Sequence, residues 1–114
     1  MYGYGYSPFV NNATVATVTP PVNTVKPAIK GTAQEGQTLT CSPGTWTGTP
    51  EIKYYFEWKR NDIIIEEANT DSYLLGSFDV GQLIKCTVIA ANNVGKTSAD
   101  SNTVRPRGTE NSRT

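Results

Sequence analysis

The chain has 114 residues, enough for one domain with one ordinary core, and carries ten basic and ten acidic side chains and no histidine. A formal net charge of zero implies no basic face, so nucleic acid is not an expected partner. No apolar run approaches the roughly 20 residues of a membrane helix, so no membrane insertion is predicted. Without histidine the commonest general base and metal ligand is missing, and we expect neither an enzyme nor a cofactor or metal site.

Residues 1–22 are predicted to form an extended arm that ends in a proline-rich linker at residues 19–21. The first part alternates aromatic residues with glycine, and ordering such a segment alone costs much entropy. Exposed aromatic side chains offer a large contact area at modest entropic cost, which predicts docking on a partner; a disordered tail of biased composition is the alternative. The predicted docking residues are Tyr2, Tyr4, Tyr6 and Phe9.

Residues 23–104 are predicted to be an antiparallel β-sandwich of about seven strands, and residues 105–114 a polar tail. No stretch shows the 3.6-residue period of a helix, whereas residues 52–60 alternate strictly between apolar and polar side chains. Pro27 confines the first strand to a sheet edge, and residues 45–50 form a loop of turn-forming residues. The predicted strands are residues 25–32, 37–41, 52–60, 63–65, 72–75, 82–91 and 96–104.

The core is predicted around a tryptophan that two cysteines bracket in the sequence. Cys41 and Cys86 each lie in a segment of period-two alternation, and Trp58 lies between them. This is the core pattern of an immunoglobulin-like sandwich. The predicted core side chains are Leu39, Phe56, Trp58, Ile84 and Val88.

Several short motifs together resemble a bacterial and bacteriophage immunoglobulin-like repeat over residues 26–104. They are Pro27-x-Ile29-x-Gly31-Thr32-Ala33, Gly36-Gln37-Thr38-Leu39-Thr40, Gly44-Thr45-Trp46, Phe56-Glu57-Trp58, Ile65-x-x-Ala68, Tyr73, Asp79-Val80-Gly81 and Ala91-Asn92-Asn93-Val94-Gly95. Members of this family occur in bacterial surface proteins and as added domains of phage capsid, tail and decoration proteins. One departure is Ile84, which stands where immunoglobulin domains usually have the corner tyrosine, two residues before the second cysteine.

The resemblance places Cys41 and Cys86 where the two sheets of such a sandwich are bridged. A disulfide would close a loop of about 45 residues and contribute roughly 3–4 kcal/mol in the chain-entropy model. The alternative is two buried, reduced thiols packed against Trp58, as expected of a protein kept in the cytoplasm. Both alternatives stay open, and neither predicts a catalytic thiol, because there is no histidine to activate one.

Two further features have a functional and a structural interpretation. Trp46 is a candidate glycan contact that could stack on a sugar ring, but in this repeat family the Gly-Thr-Trp turn more often packs back on the sandwich. Glu66, Glu67 and Asp71 could suggest paired carboxylates or a calcium site. Calcium needs six or more oxygen ligands, and no Asp-rich loop of suitable spacing is present, so solvated turn residues are the favoured interpretation.

These features predict a non-enzymatic structural protein of a bacteriophage virion, a capsid or tail decoration. The arm would dock on a capsid or tail protein, and many displayed copies would make weak contacts with cell-surface carbohydrate. Residues 1–6 lack the basic and apolar regions of a secretory signal, which fits assembly in the host cytoplasm. The alternative is an adhesive domain of a bacterial cell-surface protein.

Overall fold

The computed structural model describes residues 17–109, and this part of the chain forms nine β-strands and no α-helix. The predicted all-β class is therefore confirmed. A short 3₁₀ turn lies at Ser77–Asp79. The strands are β1 (Val22–Val25), β2 (Ala28–Lys30), β3 (Thr38–Ser42), β4 (Thr45–Thr47), β5 (Lys53–Arg60), β6 (Ile63–Ile64), β7 (Ser72–Leu74), β8 (Ile84–Ala91) and β9 (Lys96–Asp100).

The strands form antiparallel sheets whose buried side chains meet in one core. One sheet has the order β9-β8-β5-β6, a second has the order β2-β3-β7, and β1 pairs with β4. Both larger sheets contribute to a single cluster of buried side chains, which is consistent with a β-sandwich. The cluster comprises Ile29, Leu39, Cys41, Trp46, Trp58, Leu75, Ile84, Cys86, Val88 and Ala90.

The pairing of β5 with β8 is the centre of the larger sheet, with eight register pairs from Lys53–Ala91 to Arg60–Ile84. Side chains of β8 alternate, and those facing the core are fully buried, as the period-two pattern predicts. Four of the five predicted core residues are buried, but Phe56 is only half-buried and packs at the margin of the core. Phe56 lies in β5 between three exposed residues, Lys53, Tyr54 and Tyr55, and the fully buried Trp58, so its side chain is only partly covered.

The first predicted strand is in fact two strands that belong to different sheets. β1 pairs with β4, whereas β2 pairs with β3, and the break falls at Lys26 and Pro27. Proline has no N–H to give to a ladder, so the chain can change partners there without losing a hydrogen bond. The loop predicted at residues 45–50 is also partly a strand, because β4 provides the partner of β1.

Two predicted hairpin turns are present in the larger sheet. Asn61 and Asp62, between β5 and β6, have φ values of 52° and 70°, as a tight two-residue turn requires. Between β8 and β9, the N–H of Asn92 donates to the carbonyl of Gly95 at 3.0 Å. Both turns use residue types that tolerate these backbone conformations, so local sequence was sufficient to predict them.

The segments predicted as linker and tail are fastened to the folded body. The N–H of Thr49 donates to the carbonyl of Thr19 at 3.1 Å, and Pro21 is buried. At the other end, Pro106 is buried and its carbonyl accepts the N–H of Gly81 at 2.8 Å. Residues 105–107, which were predicted as part of a polar tail, therefore complete backbone hydrogen bonds of the sandwich.

Candidate functional site

Candidate metal ligands do not converge in the described part of the chain. Within residues 17–109 no group of three or more Cys, Asp or Glu side chains is placed to hold a metal ion. Glu66, Glu67 and Asp71 are exposed. A search of the same residues for a helix long and apolar enough to cross a membrane finds none.

Cys41 and Cys86 are free thiols buried side by side between the sheets. Hydrogen bonding to the Cys41 sulfur and burial both raise the pKa of the Cys86 thiol. The raised pKa opposes formation of a thiolate at Cys86, and the lack of solvent access opposes reactivity of both thiols. The structure thus matches the buried-thiol alternative and gives this pair a packing role beside Trp58, the register neighbour of Cys86.

Asp79 is a fully buried carboxylate that holds three donors from three parts of the chain. Its Oδ1 accepts from Nε of Arg60 at 2.8 Å, and its Oδ2 accepts from the hydroxyl of Tyr73 at 2.8 Å and from the N–H of Gly76 at 2.8 Å. The ring of Tyr73 stacks on Trp58 with centroids 5.5 Å apart. This network joins the end of β5, β7 and the turn before β8.

The sequence did not predict this network, although Tyr73 and Asp79 were among the motif residues that it offered. Burial and the hydrogen bond to Asp79 raise the pKa of Tyr73, which keeps its hydroxyl protonated as a donor. Burial opposes the charge of Arg60, but Asp79 and Tyr73 outweigh that effect and raise its pKa. The tyrosine of this network is Tyr73 on β7, and Ile84 stands at the position where the sequence comparison with immunoglobulin domains expected a tyrosine. A buried carboxylate satisfied in this way is structural rather than catalytic.

Trp46 is buried, with 9% of its surface exposed, and packs back on the sandwich. Its indole N–H donates to the carbonyl of Pro43 at 2.7 Å, and its ring lies 6.3 Å from that of Tyr54. A ring enclosed in this way offers no face for a sugar. Of the two interpretations of Trp46, the structure matches packing, and the candidate glycan contact at Trp46 is not supported.

At one end of the outer face of the four-stranded sheet, the polar side chains form hydrogen bonds and ion pairs with one another. The hydroxyl of Thr87 donates to Asp100 at 2.7 Å, and Lys85 forms ion pairs with Asp100 at 3.1 Å and Asp62 at 2.8 Å. The Thr87 hydroxyl, together with Lys85, lowers the pKa of Asp100 although partial burial opposes this. These groups satisfy one another, so this end offers little to a ligand.

The other end of the same face carries an open cleft of about 500 Å³. Its floor is Ala91, which lies in register between Lys53 on β5 and Lys96 on β9. The small alanine side chain leaves a hollow between its longer neighbours. The residues that line the cleft are Glu51, Lys53, Tyr55, Ala91, Asn92 and Asn93.

The wall of the cleft is fixed by Asn92, whose side chain is fully hydrogen-bonded. Its Nδ2 donates to the carbonyls of Thr19 at 2.8 Å and Thr49 at 3.0 Å, and its Oδ1 accepts the N–H groups of Val94 and Gly95. These contacts hold the β8–β9 hairpin and the incoming chain against the loop before β5. Asn92 is thus a structural residue, whereas its neighbour Asn93 is exposed.

The predicted docking residues Tyr2, Tyr4, Tyr6 and Phe9 lie outside the described residues, so their role stays a prediction. Exposed apolar side chains within residues 17–109 come from several elements. The most exposed are Phe78 (82%), Ile63 (72%) and Leu74 (62%). Single exposed apolar residues are normal on a soluble domain and do not mark an interface by themselves.

No protein-family model, curated protein or solved structure matches this chain.

Proposed function

We propose that this chain is a non-enzymatic structural protein of a bacteriophage virion, a capsid or tail decoration that displays an immunoglobulin-like domain. The observation that carries the proposal is the aromatic arm, with Tyr2, Tyr4, Tyr6 and Phe9, placed before a body that buries its own core. Aromatic side chains on an extended arm would offer a partner a large contact area at modest entropic cost.

The strand arrangement supports an immunoglobulin-like topology. Three strands, β2, β3 and β7, face a sheet with the order β9-β8-β5-β6, and the core contains one cysteine from each sheet beside Trp58. This partition resembles the two-sheet division of immunoglobulin domains. The additional pair β1 and β4 lies at the point where the chain changes sheets.

The chemistry of the body supports display rather than catalysis. Its buried ionisable groups are engaged with each other, and its open cleft is lined by polar side chains on a solvent-facing sheet. Many copies on one particle would turn weak contacts into useful avidity. We infer that the partners are a capsid or tail protein and cell-surface carbohydrate.

The test is co-sedimentation with purified particles of the source phage. The full chain should pellet with the particles, and a full-length variant with Tyr2, Tyr4, Tyr6 and Phe9 all changed to serine should remain in solution. Phe78→Ser is the matched control, because it removes an exposed aromatic ring from the body and should leave pelleting unchanged.

The other outcomes decide between the candidates. If the arm variant pellets like the parent chain, the body makes the contact and the anchoring role of the arm is wrong. If no form pellets, the virion proposal fails and an adhesive domain of a bacterial surface protein becomes the better explanation. The open cleft favours this second candidate as much as the first, since either protein would display it.

A further inference from the structure

We propose that the cleft lined by Glu51, Lys53, Tyr55 and Asn93 is a binding site for neutral carbohydrate, with a pyranose ring stacked on Tyr55. The inference rests on the proposed function for its biological setting, since it supplies the surface-binding contact of the displayed domain. The sequence offered Trp46 as a candidate for such a contact, with packing on the sandwich as the favoured alternative, and Trp46 is buried. Tyr55 is a half-exposed aromatic ring beside an open cleft.

The position of Tyr55 suits a stacking platform. It lies on the outer face of β5, in register with Ile89 on β8 and two residues along from Lys53. Ile89 is its register partner on the next strand, and the small side chain of Ala91 lies in the lining of the same cleft. An aromatic ring with one face exposed to solvent can stack on the apolar face of a sugar ring, and its few rotatable bonds keep the entropic cost of ordering it low.

The polar groups around the platform match the hydroxyl groups of a sugar. Within residues 17–109 the side chains of Glu51, Lys53 and Asn93 make no hydrogen bond or ion pair, so they remain available. Glu51 supplies acceptors, Lys53 supplies donors, and Asn93 supplies both. A few polar groups around an apolar platform in a concave site are typical of small-molecule recognition.

The charges of the lining favour a neutral ligand over an acidic one. The two charged residues that line the cleft, Glu51 and Lys53, carry opposite charges, so the lining has no net charge. An acidic sugar would gain little net attraction from this arrangement. A neutral polyol uses donors and acceptors together, and its binding should depend only weakly on salt.

The frame of the site is rigid. The β5–β8 register fixes Lys53, Tyr55 and Ala91, and the four hydrogen bonds of Asn92 fix the hairpin that carries Asn93. A preformed frame reduces the ordering cost of binding. The site is shallow and open, so we expect millimolar affinity for a single sugar chain, raised by many copies on one surface.

The experiment is an NMR titration of the ¹⁵N-labelled full chain with four neutral sugars, maltotetraose, cellotetraose, mannotetraose and tetra-N-acetylchitotetraose, and with tetragalacturonate as the acidic comparison. We expect saturable shifts of the Tyr55, Ala91 and Asn93 amides with at least one of the neutral sugars, little changed by added salt. Tyr55→Ala should weaken that binding by at least about tenfold, because the stacking surface is lost. Tyr55→Phe keeps the ring and should retain it.

The matched control is Phe78→Ala, which removes an exposed ring from the turn before β8, at the opposite end of that strand, and should leave the titration unchanged. The ¹⁵N spectrum of each variant reports whether it is folded. Absence of saturable shifts with all four neutral sugars, equal binding by Tyr55→Ala, or binding restricted to tetragalacturonate and abolished by salt would each overturn the proposal. None of these results would alter co-sedimentation through the arm, so the two proposals can fail separately.

Discussion

At the scale of single residues, Asp79 links parts of the chain that are distant in sequence. It is fully buried, and its partner Arg60 keeps about a third of its side chain exposed. A buried carboxylate is costly unless its oxygens are all occupied, and here Arg60, Tyr73 and Gly76 occupy them. The network therefore fixes geometry more than it adds net stability.

Removal of this carboxylate is expected to be much more costly than removal of an exposed one. Asp79→Ala leaves three donors without their acceptor and should lower the free energy of unfolding by about 3 kcal/mol. Tyr73→Phe removes only the hydroxyl, keeps the stack on Trp58, and should cost about 1 kcal/mol. The measurement is urea denaturation followed by tryptophan fluorescence.

The control for this prediction is Asp62→Asn, which removes the exposed charge paired with Lys85 and keeps a residue type that tolerates the φ of 70° at this turn position. An exposed ion pair contributes less than about 1 kcal/mol. If Asp79→Ala and Asp62→Asn lower stability equally, Asp79 does not have the structural role assigned to it.

At the scale of elements, the change of sheet between β1 and β2 depends on Gly44. This residue lies between β3 and β4 with φ of +81°, and a Cβ there would overlap the carbonyl oxygen of Val25 and approach the carbonyl carbon of Lys26 at 2.9 Å. The last residue of β1 can pack against the β3–β4 turn only because Gly44 has no side chain. Gly36 has a similar φ of +88° but open space around it.

The two glycines therefore give a matched pair of variants. Gly36→Ala should cost about 1 kcal/mol, the strain of placing an L-residue in the left-handed region. Gly44→Ala has the same strain and also displaces the backbone of β1, so we expect a loss of about 3 kcal/mol or more. Thermal denaturation by circular dichroism measures both, and equal losses would show that the close packing of β1 at Gly44 has no consequence.

At the scale of the whole molecule, the folded body is closed by segments near both ends of the described chain. Thr19 is hydrogen-bonded to Thr49 and Asn92 at one end of the sheets. At the opposite end Pro106 is buried, and Arg107 exchanges backbone hydrogen bonds with Ala33 and Glu35. These contacts join the loops of both sheets, so the residues beyond β9 are part of the fold.

A chain that ends at Val104 should therefore be less stable than one that ends at Thr109. The shorter chain keeps the hydrogen bonds between Ile84 and Val104 but loses those of Pro106 and Arg107 and the buried proline. We expect a loss of about 2–4 kcal/mol in the free energy of unfolding. Guanidine denaturation of the two chains is the measurement, and equal midpoints would restore the interpretation of residues 105–107 as a tail.

The sequence by itself determined the all-β class, the long strands β5 and β8, the turns at Asn61 and Asn92, and most of the core. These follow from local rules, since period-two alternation and turn residues act over a few neighbouring positions. For Phe56 the alternation predicted the correct face of β5. It could not predict how deeply the side chain is buried, because that depends on how far the opposite sheet extends.

Only the tertiary structure decided which side chains meet. Arg60 and Asp79 are 19 residues apart, and the cleft combines residues 51–55 with residues 91–93. The burial of Trp46 and the sheet change at Pro27 likewise depend on strand pairings between distant segments. Such pairings are stabilised by burial in a common core, a property of the folded chain that no local pattern contains.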